Sequence, residues 1–216
     1  MRKDIVIEWL VKRGQSLSDC QLSQMDKFQE MVLTAPMNLT AITSDEDFAV
    51  KHFIDSLTLL PWLDKLDDKA SIVDIGTGAG FPGVPLKIAR PSRDITLLDS
   101  LLKRILFLRG ALGALGFSDT QCIHARAEEY TKKNGGCFDL VIARAVARLD
   151  KLAGYALPLV KPGGIFIAMK GPNTHEEIND AKAALDKLGG VVEEVETVEI
   201  SQEISHTIII IRRNTK

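Results

Sequence analysis

Three glycines at alternate positions, Gly76, Gly78 and Gly80, follow the apolar run Ser71-Ile72-Val73-Asp74-Ile75 and precede Phe81-Pro82-Gly83-Val84-Pro85. Glycines there remove side chains where the backbone must turn sharply, and they let a ligand lie against its N–H groups. Ile72, Val73 and Ile75 are β-branched and form a short run that fits a strand buried on both faces. Pro82 and Pro85 suit a first helical turn, whose N–H groups have no partner inside the helix. Strand, loop and helix together make a nucleotide cradle. Its glycines fit two patterns. Counted from Gly78 they give the G-x-G-x-x-G of dinucleotide-binding folds, and counted from Asp74 they give acid-x-G-x-G-x-G. No Gly-Lys-Ser/Thr follows, which excludes a P-loop.

Asp99 ends the next apolar run, a little over twenty residues beyond Gly76, where a carboxylate can accept from both vicinal hydroxyls of a ribose. The same residue would also serve as an N-cap for the helix that follows. The stretch Ala125-Arg126-Ala127-Glu128-Glu129 comes after the third run, where a backbone N–H of Ala127 or Glu128 can meet the edge of an adenine; alone, it is an ordinary acidic helix start. Arg144 closes the fourth run and Lys170 the fifth, so both sit at the strand ends where open α/β sheets bind ligands. A guanidinium at that place could clamp a carboxylate or a phosphate with two parallel bonds, or be a loop arginine facing solvent. Chemistry that needs a nucleophile is missing. No cysteine follows a proline, no Asp/Asn-Pro-Pro-aromatic loop follows the fourth run, and neither HExxH nor a serine elbow occurs. The histidines His52, His124, His175 and His206 are scattered without ligand spacing, so no metal is expected and each reads as structural.

The elements that must hold these residues follow from periodicity. Residues 1–60 carry helical spacing: Ser18-Asp19-Cys20-Gln21 fits a capping box ahead of Leu22, Met25, Phe28 and Val32, and Ser44 caps a further helix through Leu57. This part, 1–60, is expected to be a helical cap on one side of a main domain, 61–216. From residue 70, apolar runs at 95–98, 120–123, 138–143 and 164–169 alternate with helical stretches at 84–89, 101–115, 128–132 and 149–157. Such alternation means βαβ units, a mostly parallel sheet and helices on both faces. A last helix, 176–188, is followed by runs at 191–200 and 205–212 with only 201–204 between them. That link is too short for a parallel crossover, so either the last two strands pair antiparallel or the final one inserts antiparallel.

At 216 residues, 45% hydrophobic and 26% charged, the chain suits one soluble domain, with no apolar stretch near the ~20 residues of a membrane span. The start lacks a signal-peptide pattern, and three cysteines without pairing spacing fit reduced thiols of the cytoplasm. A net charge of −2 does not advertise nucleic acid, so any RNA contact must use a local basic patch.

The acid-x-G-x-G-x-G loop and the reversed last strand resemble the class I S-adenosylmethionine (SAM) methyltransferases: α/β, Rossmann-like, with a mostly parallel seven-stranded sheet. Asn38-Leu39-Thr40, His52-Phe53-Ile54-Asp55-Ser56, the whole of 74–83, Leu97-Leu98-Asp99-Ser100, Lys103-Arg104 and Arg144-Ala145 resemble one family within that class, RsmG or glucose-inhibited division protein B. Met37 stands where the family usually has an aromatic residue. The resemblance implies a cytoplasmic enzyme, expected as a monomer, that methylates one guanosine N7 of 16S rRNA or the small ribosomal subunit. It implies SAM contacts at Gly76, Phe81, Ala127, Glu128 and Arg144, to which the residue chemistry above adds Asp74, Gly78, Gly80 and Asp99. Guanine N7 is an acceptor that needs no enzyme base, so no catalytic side chain is required; Arg144, Lys170 and Asn38 are the positioning candidates. Lys51, Lys103, Arg104, Arg109 and Arg148 are the RNA-binding candidates, each otherwise a solvated surface charge. An NAD-dependent oxidoreductase, resting on 78–83 alone, and a non-catalytic SAM or RNA binder are the alternatives.

Overall fold

The computed structural model describes residues 1–172, 174–201 and 203–215. Helices α1 (Lys3–Val11) and α2 (Asp19–Leu33) open the chain. The expected capping box is present: Ser18 Oγ accepts from Gln21 N, and Gln21 Oε1 accepts from Ser18 N at 2.8 Å. The helix capped by Ser44 has three parts: α3 (Asp45–Phe48), a π-helical stretch (Ala49–Ile54) and α4 (Asp55–Leu57). The π stretch has no signature in the periodicity. Within it the carbonyls of Lys51 and His52 accept side-chain donors, Arg144 Nη1 and Ser56 Oγ respectively. A short α5 (Leu60–Asp64), with Pro61 in its first turn, straddles the expected 60/61 division.

The alternating part then runs β1 (Ser71–Ile75), α6 (Gly83–Ala89), β2 (Asp94–Asp99), α7 (Leu102–Leu115), β3 (Cys122–His124), α8 (Ala127–Lys133) and β4 (Phe138–Arg144). After these come α9 (Leu149–Ala156), a 3-10 turn (Leu157–Leu159), β5 (Val160–Lys170), α10 (His175–Leu188), β6 (Gly190–Glu199) and β7 (Ser205–Arg213). One seven-stranded sheet results, in the order β3-β2-β1-β4-β5-β7-β6. β7 is antiparallel to both β5 and β6, as the short 201–204 link requires; Gln202 of that link lies outside the described residues. β5 starts four residues before the expected 164, because Val160 pairs with Phe138 ahead of a register shift.

Successive strand residues point to opposite faces, so one pattern builds two cores. Ile72, Leu140, Ile142, Ile208 and Ile210 face α1, α2, α6, α7 and the π stretch. Val73, Val141, Ala143, Ile209 and Ile211 face α9 and α10. The N-terminal helices therefore share a core with the sheet and have none of their own. Among the described residues, no helix is long and apolar enough to cross a membrane.

The tightest join lies between β1, β2 and α6. A Cβ at Gly83 would lie 2.2 Å from Leu97 Cδ2 and 2.9 Å from Asp74 Oδ2, both fully buried side chains. Gly83→Ala is expected to destabilise the protein by about 1–3 kcal/mol through overpacking, measured by chemical denaturation. An unchanged midpoint would show that Leu97 can move aside.

Candidate active site

Two carboxylates hold the glycine loop. Asp74, fully buried, accepts from Thr77 Oγ1 at 2.6 Å and from Gly83 N at 2.9 Å through Oδ2, closing the loop back onto the start of α6. Its Oδ1 has no partner among the described residues. Burial pushes the carboxyl up to about 6, against the bonds from Thr77 and Gly83. From the neighbouring strand, Asp99 Oδ2 accepts from Gly78 N at 2.9 Å, while the Leu98 carbonyl takes Gly76 N and Thr77 N at 2.8 and 3.1 Å. Gly78 has φ +62°, and the place of its absent Cβ is open apart from Gly76 O at 3.9 Å. Gly80 instead packs inward against Val84, Leu108 and Phe28.

Asp99 sits just ahead of α7, whose N-cap is Leu101 and has no side-chain cap bond, so the expected N-cap role is not taken in that form. Oδ1 accepts from Leu101 N at 2.8 Å at the entry to α7, and Arg104 Nη1 approaches Oδ2 at 3.3 Å. With Gly78 N, three donors occupy three of the roughly four acceptor sites of a carboxylate. The loop before α8 lies alongside, because Ala125 N donates to the Asp99 carbonyl at 3.1 Å. That puts half-buried Ala127 and exposed Glu128, in the first turn of α8, on the Asp99 side of the sheet.

At the other side of the loop Phe81 is buried in a ring cluster. His52 stacks on it at 4.3 Å and 10°, with Phe28, Phe48 and Phe53 around the pair. Arg144 lies over the Phe81 ring with Cζ 5.4 Å from the centroid. Its Nη1 donates to Asp55 Oδ2 at 2.8 Å and to the Lys51 carbonyl at 3.1 Å, and its Nη2 meets His52 Nδ1 at 3.4 Å. A guanidinium only donates, so Nδ1 of His52 accepts and Nε2 carries the hydrogen toward Thr40 Oγ1, 2.8 Å away. Burial, followed by the nearby Arg144 charge, lowers His52 to about 4, so the ring is neutral at pH 7. Asp55 also bonds Nδ1 of His206 from β7. Burial opposes the charge on Asp55, but His206 and Arg144 outweigh it and hold the carboxyl below its usual range.

Part of this set surrounds a cleft of about 380 Å³ at the carboxyl ends of β1 and β4, lined by Gly76, Gly78, Phe81, His52, Arg104 and Arg144 among others. Asp74 and Asp99 are buried behind it, and Gly80, Ala127 and Glu128 are outside its lining. Size alone does not single it out: a cleft of about 470 Å³ beside α2 is larger but contains neither glycine loop nor strand end. Of the positioning candidates, Lys170 is nearly buried and tied to Glu177 at 2.6 Å and to the Ala147 carbonyl, and Asn38 is exposed in the loop after α2. Of the basic candidates, Lys51 and Arg104 line the cleft and Lys103 is exposed nearby on α7. Arg109 donates to the Cys122 carbonyl at 2.8 Å, and Arg148 pairs with Asp180 at 2.6 Å. Residue-by-residue reading missed Thr40, His52, Asp55 and His206 as part of the site. The first three lie in the blocks 38–40 and 52–56 that carry the family resemblance, which was their only signal.

Sheet order, the antiparallel β7 and a glycine loop at the strand ends define a class I SAM-dependent methyltransferase fold. Precorrin-6y C5,15-methyltransferase from Geobacter metallireducens GS-15 shares it with a TM-score of 0.55 at 20% identity, over 84% of this chain and 94% of that one. The [4+2]-cyclase SpnF shares it with a TM-score of 0.61 at 15% identity, over 93% and 98%. Likeness at that identity is one of fold. Within the fold, the chain belongs to the GidB family, rRNA small subunit methyltransferase G, whose model matches residues 21–206. Ribosomal RNA small subunit methyltransferase G of Clostridium novyi (strain NT) is 45% identical over 201 residues, 91% of this chain and 82% of that protein.

The buried Asp74 carboxyl gives stability a pH dependence. Its folded value of about 6 lies above the ordinary 3.8, so the folded state holds the proton more tightly. The contribution is full below about pH 4 and lost as pH rises through about 6, up to about 3 kcal/mol in all. Asp74→Asn, which has no proton to lose, is expected to flatten that part of the stability curve. Denaturation from pH 4 to 7 checks it; parallel curves for the two proteins would refute the assignment.

Proposed function

We propose that this protein transfers the methyl group of SAM to N7 of a guanosine in the 16S rRNA of the small ribosomal subunit, acting as a cytoplasmic monomer. Membership of the GidB family over residues 21–206 is the observation that carries the reading. The cleft fits the donor. Gly78 leaves its face of the loop open, Asp99 keeps acceptor capacity, and the volume is within the roughly 300–1,000 Å³ usual for small-ligand sites.

In this reading Asp99 holds the ribose, with the backbone at Ala127 and Glu128 beside the adenine. Gly76, Gly78 and Gly80 let the main chain approach closely, while Phe81 and Arg144 bound the methionine end. Asp74 acts from beneath, by fixing the loop. When bound, SAM supplies a sulfonium-activated methyl group that the in-plane lone pair of guanine N7 takes directly, without a covalent enzyme intermediate. That acceptor has no proton to surrender, so the chain needs to align the partners and exclude water, and no base is required. His52 suits such a site because it is neutral and stacked, not poised to titrate near pH 7. Lys51 and Arg104 in the lining, with exposed Lys103 next to Arg104, are the cations a phosphate backbone would meet there, Lys51 sharing its charge with Asp47 at 2.6 Å.

Calorimetry with SAM and with NAD, then mass spectrometry of 16S rRNA nucleosides from cells with and without the protein, tests this reading. Expected are SAM binding, no NAD binding, and 7-methylguanosine that disappears with the protein. NAD binding alone would make it an oxidoreductase, and SAM binding with unchanged rRNA would make it a non-catalytic binder. Asp99→Ala is expected to weaken SAM binding by about 1–3 kcal/mol, through lost hydrogen bonds to a charged acceptor and a loosened Gly78. Unchanged affinity would remove Asp99 from the site.

A further inference from the structure

A chain of side-chain hydrogen bonds crosses the molecule from the loop after α2 to the last strand. Thr40 Oγ1 meets His52 Nε2, His52 Nδ1 meets Arg144 Nη2, Arg144 Nη1 donates to Asp55 Oδ2, and Asp55 Oδ1 meets His206 Nδ1. His206 Nε2 ends it 3.3 Å from Thr58 Oγ1. The five N–H bonds of the Arg144 guanidinium can be counted against this chain. Both hydrogens of Nη1 are spent, on Asp55 and on the Lys51 carbonyl, and one hydrogen of Nη2 faces His52. The remaining Nη2–H and Nε–H have no protein partner among the described residues. Nε and Nη2 form one edge of the fork, the kind that receives the two oxygens of a carboxylate or phosphate, and each keeps a hydrogen without such a partner. Arg144 lines the cleft that also contains Gly76 and Gly78.

We infer that Asp55, held by His206 from the reversed strand, is the positioning residue for Arg144, taking up Nη1 so that the Nε/Nη2 edge is presented to an oxyanion in the cleft. The inference rests on the cleft being the methyl-donor site. The oxyanion is either the carboxylate of the donor or a phosphate of the RNA. Asp55 is only 8% exposed, and a buried ion pair of this kind is often no more stabilising than apolar residues of the same size. Stability alone therefore does not require it. Its two oxygens divide the work, Oδ1 to His206 and Oδ2 to Arg144. An amide at this position accepts on one side only and carries no charge, so it could hold Arg144 through its oxygen alone, by a weaker neutral acceptor, with His206 turned to the other tautomer.

The test is steady-state methylation of 16S rRNA and of small subunits by the full-length protein and by Asp55→Asn, Arg144→Ala and the double variant, each with its unfolding midpoint. Asp55→Asn is expected to raise one KM by about tenfold to a hundredfold while remaining folded, the usual cost of a misplaced binding group. A raised KM for SAM assigns the edge to the donor carboxylate, and a raised KM for RNA assigns it to a phosphate. In the Arg144→Ala background the same change is expected to alter activity by less than about twofold, because the two residues act as one unit. His206→Phe, which leaves both members of the ion pair in place, is expected to raise the same KM by a smaller factor, and it decides the matter if Asp55→Asn does not fold. Wild-type kinetics in the folded variants, or an equal loss in both backgrounds, would overturn the inference while leaving the proposed function intact. Wild-type protein that neither binds SAM nor methylates RNA would overturn both.

Discussion

The site depends on a glycine loop gripped from two sides by carboxylates at the ends of adjacent strands. β1 and β2 lie side by side in parallel register, Ile75 beside Leu98, so Asp74 and Asp99 come to neighbouring strand ends. Asp74 bonds the far end of the loop from beneath, and Asp99 bonds its middle from the side. Burying Asp74 is unfavourable enough to raise its carboxyl to about 6, and the bonds to Thr77 and Gly83 only partly offset this. Loop, strand end and helix start are thereby fixed as one body. The absence of a Cβ at Gly83 is the steric condition for it, because Leu97 and Asp74 already fill that space.

A second constraint comes from the N-terminal helices. They share a core with the sheet through Phe28, Phe48 and Phe53, and these rings surround Phe81 directly after the glycines. These helices are in this way continuous with the cradle: they contribute Lys51 and His52 to the same cleft, and Asp55 bonds Arg144 from behind it. The π stretch Ala49–Ile54 suits this duty, since carbonyls inside it accept Arg144 and Ser56. π-helical turns recur at functional sites for the same reason: they release backbone groups from the regular ladder.

Charge is arranged locally. Arg109 and Arg148 are spent on a carbonyl and a carboxylate, and Lys170 is tied between the loop after β4 and α10, where Glu177 also accepts from Leu149 N. The basic groups at the cleft, Lys51, Arg104 and Arg144, also have carboxylate partners, Asp47 at 2.6 Å, Asp99 at 3.3 Å and Asp55 at 2.8 Å. Lys103 is exposed next to Arg104.

The sequence by itself determined what depends on neighbours along the chain. A β-branched run, alternate glycines and a proline-bearing helix start are local, as are the Ser18 capping box, the strand–helix alternation and the short link that forces β7 antiparallel. It also placed Asp99, Arg144 and Lys170 at strand ends, because position along a strand is local too. Tertiary structure alone decided what those side chains do there. Arg144 and Asp55 are 89 residues apart in sequence, and Asp55 and His206 are 151 apart. No periodicity or spacing rule spans such distances. Whether an arginine at a strand end faces solvent or shares a buried carboxylate is set by which distant element packs against it, and only the assembled sheet with the N-terminal helices packed on it brings those elements together.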